Sequence, residues 1–234
     1  MTSESGSPEG QSILSTLARR AMSLPGRPGK GDHEYVAYDA VNASTGHKLE
    51  STGELSLIHE GYANSSVATW TAPDGRHRID STRNGKPNPH NGIHGPEDGA
   101  PRTFFARERP LSAYIDTTNS YLILNDVARI WQRQHIPDYM MVAVLEELAN
   151  RSDVIVEEHA VDDAGRAGIA ISAQAVHYNR LQRYTLTLDP QTLLPLAATN
   201  YEQRTRPDGT TEWKLRSSVL WRQVGHVESL NEEL

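Results

Sequence analysis

The residues of this chain whose types and spacing could do chemistry are three histidines and two acidic pairs. His90 and His94 stand four apart with His77 upstream, and imidazole nitrogens at that spacing can share a metal when one helix face carries both. The surrounding Gly and Pro rule out a helix here, which leaves Glu97 and Asp98 as oxygen ligands of a site with no fixed frame. No metal site is expected. Glu157-Glu158 and Asp162-Asp163 could act as acid and base or hold a hard cation. Adjacent residues on a strand point to opposite faces, however, and Asp162-Asp163 just before Gly165 reads as turn chemistry. There is no Gly-x-Ser-x-Gly elbow, phosphate loop or dinucleotide fingerprint, and Gly165-Arg166-Ala167-Gly168 is too short and too strand-like to replace one. The expectation is a protein that is not an enzyme, with no catalytic residues and no cofactor. A hydrolase built from a His and a carboxylate on distant segments is the weakest of the alternatives.

What remains is apolar surface. Trp70, Trp131, Trp213, Trp221, Tyr184 and Tyr201 are the large side chains of a chain with only two Phe. Two readings stand side by side: they pack between sheet and helices, or some of them line a hollow that accepts an acyl chain or another apolar ligand. Met140 and Met141 carry the same alternatives. On the second reading the lining residues are Trp70, Trp131, Met141, Tyr184 and Leu186.

The elements that must position these residues are mostly strands. Tyr184, Leu186 and Leu188 alternate with Thr185 and Thr187 until Asp189-Pro190 stops the run. Trp213, Leu215, Val219 and Trp221 form a second run after Pro207-Asp208-Gly209, and the two runs are expected to be antiparallel neighbours. Val154–Val156 and Ile169–Ile171 flank Asp162–Gly165 as a hairpin, and Val67–Thr71 precedes Pro73-Asp74-Gly75 with Arg76–Asp80 returning. Residues 33–42 and 47–59 read as two strands around Ser44-Thr45-Gly46. The stretch 83–103 reads as a long surface loop. Ile13, Leu14, Leu17, Ala21 and Leu24 have helical spacing over 10–24, ended by Pro25-Gly26. Leu122–Gln134 and Asp138–Arg151 are further helices, separated by Pro137, that cover one face of the sheet.

Composition sets the outer limits. With 234 residues, of which 37% are apolar, the core is expected to be modest for the size. A net charge of −7 with scattered basic residues disfavours a nucleic-acid surface. Zero cysteines removes disulfides and thiolate chemistry. No apolar run is long enough for a membrane helix and no signal peptide opens the chain. Residues 1–9 read as a disordered leader and 10–230 as a single α+β domain.

Several segments together resemble a known family. They are the N-terminal amphipathic helix, the Pro/Gly stretch before His33-Glu34-Tyr35-Val36, Trp70–Gly75, the paired helices, Asp162–Ala170 and Leu188–Pro195. The chain is similar over roughly residues 10–228 to an uncharacterised actinobacterial family of extracytoplasmic domains, commonly tethered by one membrane helix and often encoded beside sigma factors. The resemblance implies a LolA-like or RseB-type fold: a curved antiparallel sheet forming an open half-barrel, two or three helices against its concave side, and a hydrophobic hollow. It also implies an extracytoplasmic or cell-surface location and a membrane-associated regulatory partner. This chain departs from the family in having no membrane segment before the first helix and in carrying Leu193 where relatives have Gly. Two functions follow as expectations. One is a sensor or carrier binding a lipid-like or peptide ligand in the half-barrel. The other is a protein-interaction module with a filled core, a partner of a membrane or sigma/anti-sigma regulatory system.

Overall fold

A computed structural model describes residues 8–24, 28–49, 55–96 and 105–233. The fold class is α+β, with one open, curved antiparallel sheet and helices on one of its faces. Along the chain come α1 (Pro8–Ala21), β1 (His33–Leu49), β2 (Leu55–Thr71), β3 (His77–Arg83), β4 (Lys86–Pro87) and β5 (Gly92–His94). A short 3₁₀ turn (Leu111–Ala113) leads to α2 (Ser120–Trp131) and α3 (Asp138–Ala149). Then follow β6 (Val154–Val161), β7 (Ala167–His177), β8 (Arg180–Leu188), β9 (Pro195–Thr205) and β10 (Thr211–Val227). The strand order is β4-β3-β2-β1-β10-β9-β8-β7-β6, with β5 also on β3. The two chain halves therefore join through β1 and β10, which pair from His33 with Val227 to Asn42 with Ser217.

Three of the hairpins use the same turn. In residues 72–76, 162–166 and 206–210 the first residue accepts from the glycine N–H and donates its own N–H to the fifth residue's carbonyl. Gly75, Gly165 and Gly209 all have positive φ. This is a three-residue loop with the glycine in the left-handed position, the geometry that continues the right-handed twist of the flanking strands. An aspartate fixes each turn: Asp74 and Asp208 accept the N–H two residues on, and Asp162 accepts from both Ala164 and Arg166.

The helices begin and end where local chemistry requires. Asn119 caps α2 by accepting from Leu122 N–H at 2.9 Å. Pro137 opens α3, where its missing N–H costs nothing. α1 packs on α3 and beside β6, while α2 lies across β7, β8 and β9. Between helices and sheet sits the main core, which includes Leu14, Leu17, Val127, Trp131, Met141, Leu145, Ile171, Tyr184, Leu186 and Trp221. A second, smaller core lies on the opposite face of β1, β2 and β10: Tyr35, Ala37, Ala68, Trp70, Ala72 and Val227, with Leu230 over them. Strand alternation separates the two, since Val36 points into the first and Tyr35 and Ala37 into the second.

Three expectations need correction. Ser44-Thr45-Gly46 is not a turn; it lies inside β1, opposite Gly61, Glu60 and His59, with a register shift after Gly46, so the pairing energy of a long ladder overrides local turn preference. The Trp213–Trp221 run is not the neighbour of the Tyr184 run, because β9 lies between them and pairs with both. Residues 83–103 are not all loop: Asn84 and Gly85 adopt positive φ and turn the chain into β4, and β5 pairs back onto β3. The late turn does accept Leu193 in place of glycine, at φ +56°. Asp189 holds that turn by accepting from the N–H groups of Gln191 and Thr192 at 2.8 Å.

The strands at the two ends of the order are blunt, while the outer edge of β2 before Ser65 is unpaired among the described residues. β4 is two residues long and contains Pro87. β6 carries a bulge between Glu157 and Ala160, with Glu157 and Glu158 in or beside it.

Candidate functional site

The five residues expected to line a hollow are all buried. Trp131 of α2 and Met141 of α3 share the main core with Tyr184 and Leu186 of β8, and Trp131 and Leu186 are 1% exposed. Tyr184 meets Tyr121 edge to face at 5.8 Å, and burial raises its phenol far above the usual value. Trp131 meets His135 edge to face at 4.8 Å and accepts at its backbone carbonyl from Trp221 Nε1 at 3.2 Å. Trp70 lies apart from the other four, in the second core. Its indole donates to the Glu232 carbonyl, and the Arg78 guanidinium stacks 4.6 Å from the ring centroid. Strand periodicity assigns residues to two faces but does not say which face the helices cover, so the sequence groups Trp70 with four residues from which the sheet separates it.

Two clefts among the described residues are lined by none of the five. One, of about 310 Å³, lies among Pro28, Arg166, Leu196 and Trp221. The other, of about 560 Å³, separates α1 from β6 and β7, with Ile13, Leu17, Glu158, His159 and Ile169 on its walls.

The histidines and acidic pairs take structural positions. His77 and His94 face each other across β3 and β5 with rings stacked at 5.2 Å, and His94 Nε2 lies 2.9 Å from the His90 carbonyl. Among the described residues no three His, Asp or Glu converge on one point; Glu97 and Asp98 lie outside those residues. Asp162 is the anchor of a clamp. Arg166 Nε donates to Asp162 Oδ2 at 2.7 Å, and its two terminal nitrogens donate to the carbonyls of Trp221 and Leu196, each at 2.8 Å. Burial pushes the Asp162 carboxyl up, but the Arg166 hydrogen bonds and charge outweigh it and hold the group below the usual carboxylate value. This clamp ties the β6–β7 turn to β9 and β10.

One polar constellation was not anticipated from the sequence. The helical cover stops at Tyr121 in the first turn of α2, and beyond it the helix-bearing face of the sheet is polar. Tyr121 donates to Gln182 Oε1 at 2.6 Å, and Asn200 Nδ2 donates to both Tyr121 and Gln182. Next along β9 is Glu202, a buried carboxylate that accepts from three arginines on three adjacent strands. Arg180 on β8 and Arg204 on β9 reach Oε1, and Arg216 on β10 reaches Oε2 at 3.1 Å. Burial raises the Glu202 carboxyl, and hydrogen bonds from Arg204 and Arg180 more than reverse this, so it stays ionised below the usual range. Register explains the meeting: Gln182 and Lys214 lie opposite Glu202 on its two neighbours, and the bulge between Leu215 and Ser217 sets Arg216 beside them. The available signal was the polar alternation Asn200, Glu202, Arg204 continuing from Ala198, which marks one face of an unassigned strand.

No family model matches the chain, and no curated protein matches it. Among solved structures, one neighbour is the crystal structure of MucB in complex with MucA(peri), at 12% identity and a TM-score of 0.28. The match covers 94% of this chain and 55% of that one, so the chain spans little more than half the length of the neighbour. A superposition that loose leaves function to be read from this chain's own geometry. Among the described residues, no helix is long and apolar enough to cross a membrane.

Proposed function

We propose that this protein is a non-catalytic interaction module with a filled core. The observation that carries the reading is the packing of the helix-bearing face, where α1, α2 and α3 occupy the space a half-barrel ligand would need. Trp131, Met141, Tyr184 and Leu186 are at most 5% exposed there. Close-packed side chains of that kind set stability, and the surface left for function is the polar part of the sheet beyond the helices. The partner is a protein, in keeping with a regulatory role of the kind the family resemblance implies.

A carrier reading is kept by one feature, the cleft of about 560 Å³ between α1 and the β6–β7 edge, a volume within the range of small-molecule sites. Native mass spectrometry of the purified chain, with extraction of anything released, separates the two. A bare chain that fails to displace an apolar dye with fatty acid is expected. A co-purifying lipid would sink the filled-core reading and move the function to that cleft. Trp131→Ala is expected to cost about 3–5 kcal/mol and Met141→Ala about 2–5 kcal/mol, with no accompanying loss of any binding activity.

A further inference from the structure

The segment that follows β10, residues 228–233, turns back over the helix-free face of the sheet and is held there lightly. A tight turn shapes it: Glu232 N–H donates to the Ser229 carbonyl at 3.4 Å, and Glu228 N–H donates to Glu232 Oε2 at 3.0 Å. Among the described residues, no backbone–backbone hydrogen bond ties 229–233 to the sheet. Leu230, at 8% exposure, is the only buried residue of the segment, and the rest of 228–233 is exposed. Three helices seal the other face of the sheet; here a single aliphatic side chain does so. A piece of chain anchored in this way opens locally far more often than the strands beneath it.

What the segment covers has the composition of an interface centre. Tyr35 and Trp70 are opposite each other on β1 and β2, with ring centroids 5.0 Å apart, and Arg78, opposite Trp70 on β3, lies 4.6 Å from the indole centroid. Asp80 fixes the guanidinium by accepting from its Nη2. Leu230 packs on the two rings and their small neighbours Ala37, Ala68 and Ala72. The polar contacts all run one way, from sheet to segment. Trp70 Nε1 donates to the Glu232 carbonyl, and Arg78 Nη1 donates to the Leu230 carbonyl at 3.4 Å and to Asn231 Oδ1 at 3.1 Å. Two of these three acceptors are main-chain oxygens, which any polypeptide carries. Trp, Tyr and Arg are the residue types that dominate binding energy where one protein seats another.

We infer that Tyr35, Trp70 and Arg78 form a docking site for a polypeptide turn that presents an aliphatic side chain, and that residues 228–233 occupy this site in cis until a partner displaces them. The segment itself shows the chemistry the site takes: a leucine against two rings, with carbonyl oxygens toward the indole and guanidinium donors. A tethered occupant competes at the effective concentration its short link sets, on the order of millimolar, so a partner binds weakly until the segment yields. This goes beyond the interaction-module reading by adding a surface on the face opposite the helices.

The test is fluorescence anisotropy of a labelled peptide with the sequence of residues 227–233, titrated with the full chain. The wild type is expected to bind it weakly and Leu230→Ala about tenfold more tightly, because that substitution loosens the cis occupant. A folding defect would weaken binding, so it cannot imitate the gain. In the Leu230→Ala background, adding Arg78→Gln is expected to cost about tenfold in affinity, and a peptide with alanine in place of its leucine should bind the same protein about tenfold more weakly. Equal affinity of the wild type and Leu230→Ala for the peptide would overturn the proposal, as would binding indifferent to Arg78→Gln or to the peptide's leucine. Sedimentation of the wild type is expected to show no dimer that depends on Leu230; a dimer lost in Leu230→Ala would overturn the proposal and reassign the segment to exchange between copies of this chain. A lipid found by mass spectrometry would defeat the filled-core reading without altering these anisotropy results, so the two failures are told apart.

Discussion

Arg166 shows how a turn residue becomes part of the tertiary structure. Its guanidinium joins a buried carboxylate to two carbonyls on strands far away in sequence, so Arg166→Ala leaves Asp162 inside without its charge partner. A loss of about 3 kcal/mol is expected, read as a lower urea midpoint at unchanged slope. The pH dependence has a definite sign. Because the Asp162 carboxyl is held below its usual value in the fold, its contribution is complete above the unfolded pKa and drains away as pH falls through the folded one. The acid limb of the stability curve should therefore be shallower in Arg166→Ala than in the wild type. Leu193 poses a contest of two effects. Its left-handed backbone costs roughly 1–2 kcal/mol for a side chain with a Cβ, but the side chain is buried in the main core, which contributes about 1.5–3 kcal/mol. Burial wins. Leu193→Gly is expected to lower stability by about 1 kcal/mol, and a gain in melting temperature would reverse the ranking of the two effects.

Elements follow rules that are partly local. The Asp and Gly of the three shared turns are read directly from sequence, because φ and side-chain capping are settled within five residues. Gly209→Ala should cost about 1 kcal/mol, since a Cβ there meets nothing and only the backbone strain counts. Gly75→Ala should cost more, because its Cβ would press on Pro96 at 3.0 Å. Comparing the two by chemical denaturation checks the assignment of the turn type. β9 is hard to read for a physical reason: its first half, Pro195–Ala198, is buried on both sides, so alternation marks only its second half. Ser44-Thr45-Gly46 misled because turn preference is a local term of about 1 kcal/mol, easily outweighed by sixteen paired positions along β1 and β2. The arginine cluster was the least legible feature of all. Its members lie on three strands, and only the register between those strands brings them to one carboxylate.

At the scale of the molecule, one sheet carries two cores that share no side chain. The helical face supplies most of the buried volume, and the second face depends on the C-terminal segment, through Leu230 and the Glu232 carbonyl, to cover Trp70. Leu230→Ala should redshift Trp70 emission and cost about 2 kcal/mol. Combined with Trp131→Ala, the losses should add to within about 0.5 kcal/mol, and marked non-additivity would mean the faces communicate through the strands between them. The blunt edges have a consequence of their own. A sheet this wide can grow into a fibre only by recruiting further strands at its open edges, and at the two ends of the strand order Pro87 removes a donor from β4 while the Glu157–Ala160 bulge and its carboxylates bend and charge β6. Flattening β6 by removing its bulged residue should therefore raise the tendency of the chain to associate edge to edge, read as increased light scattering at high concentration.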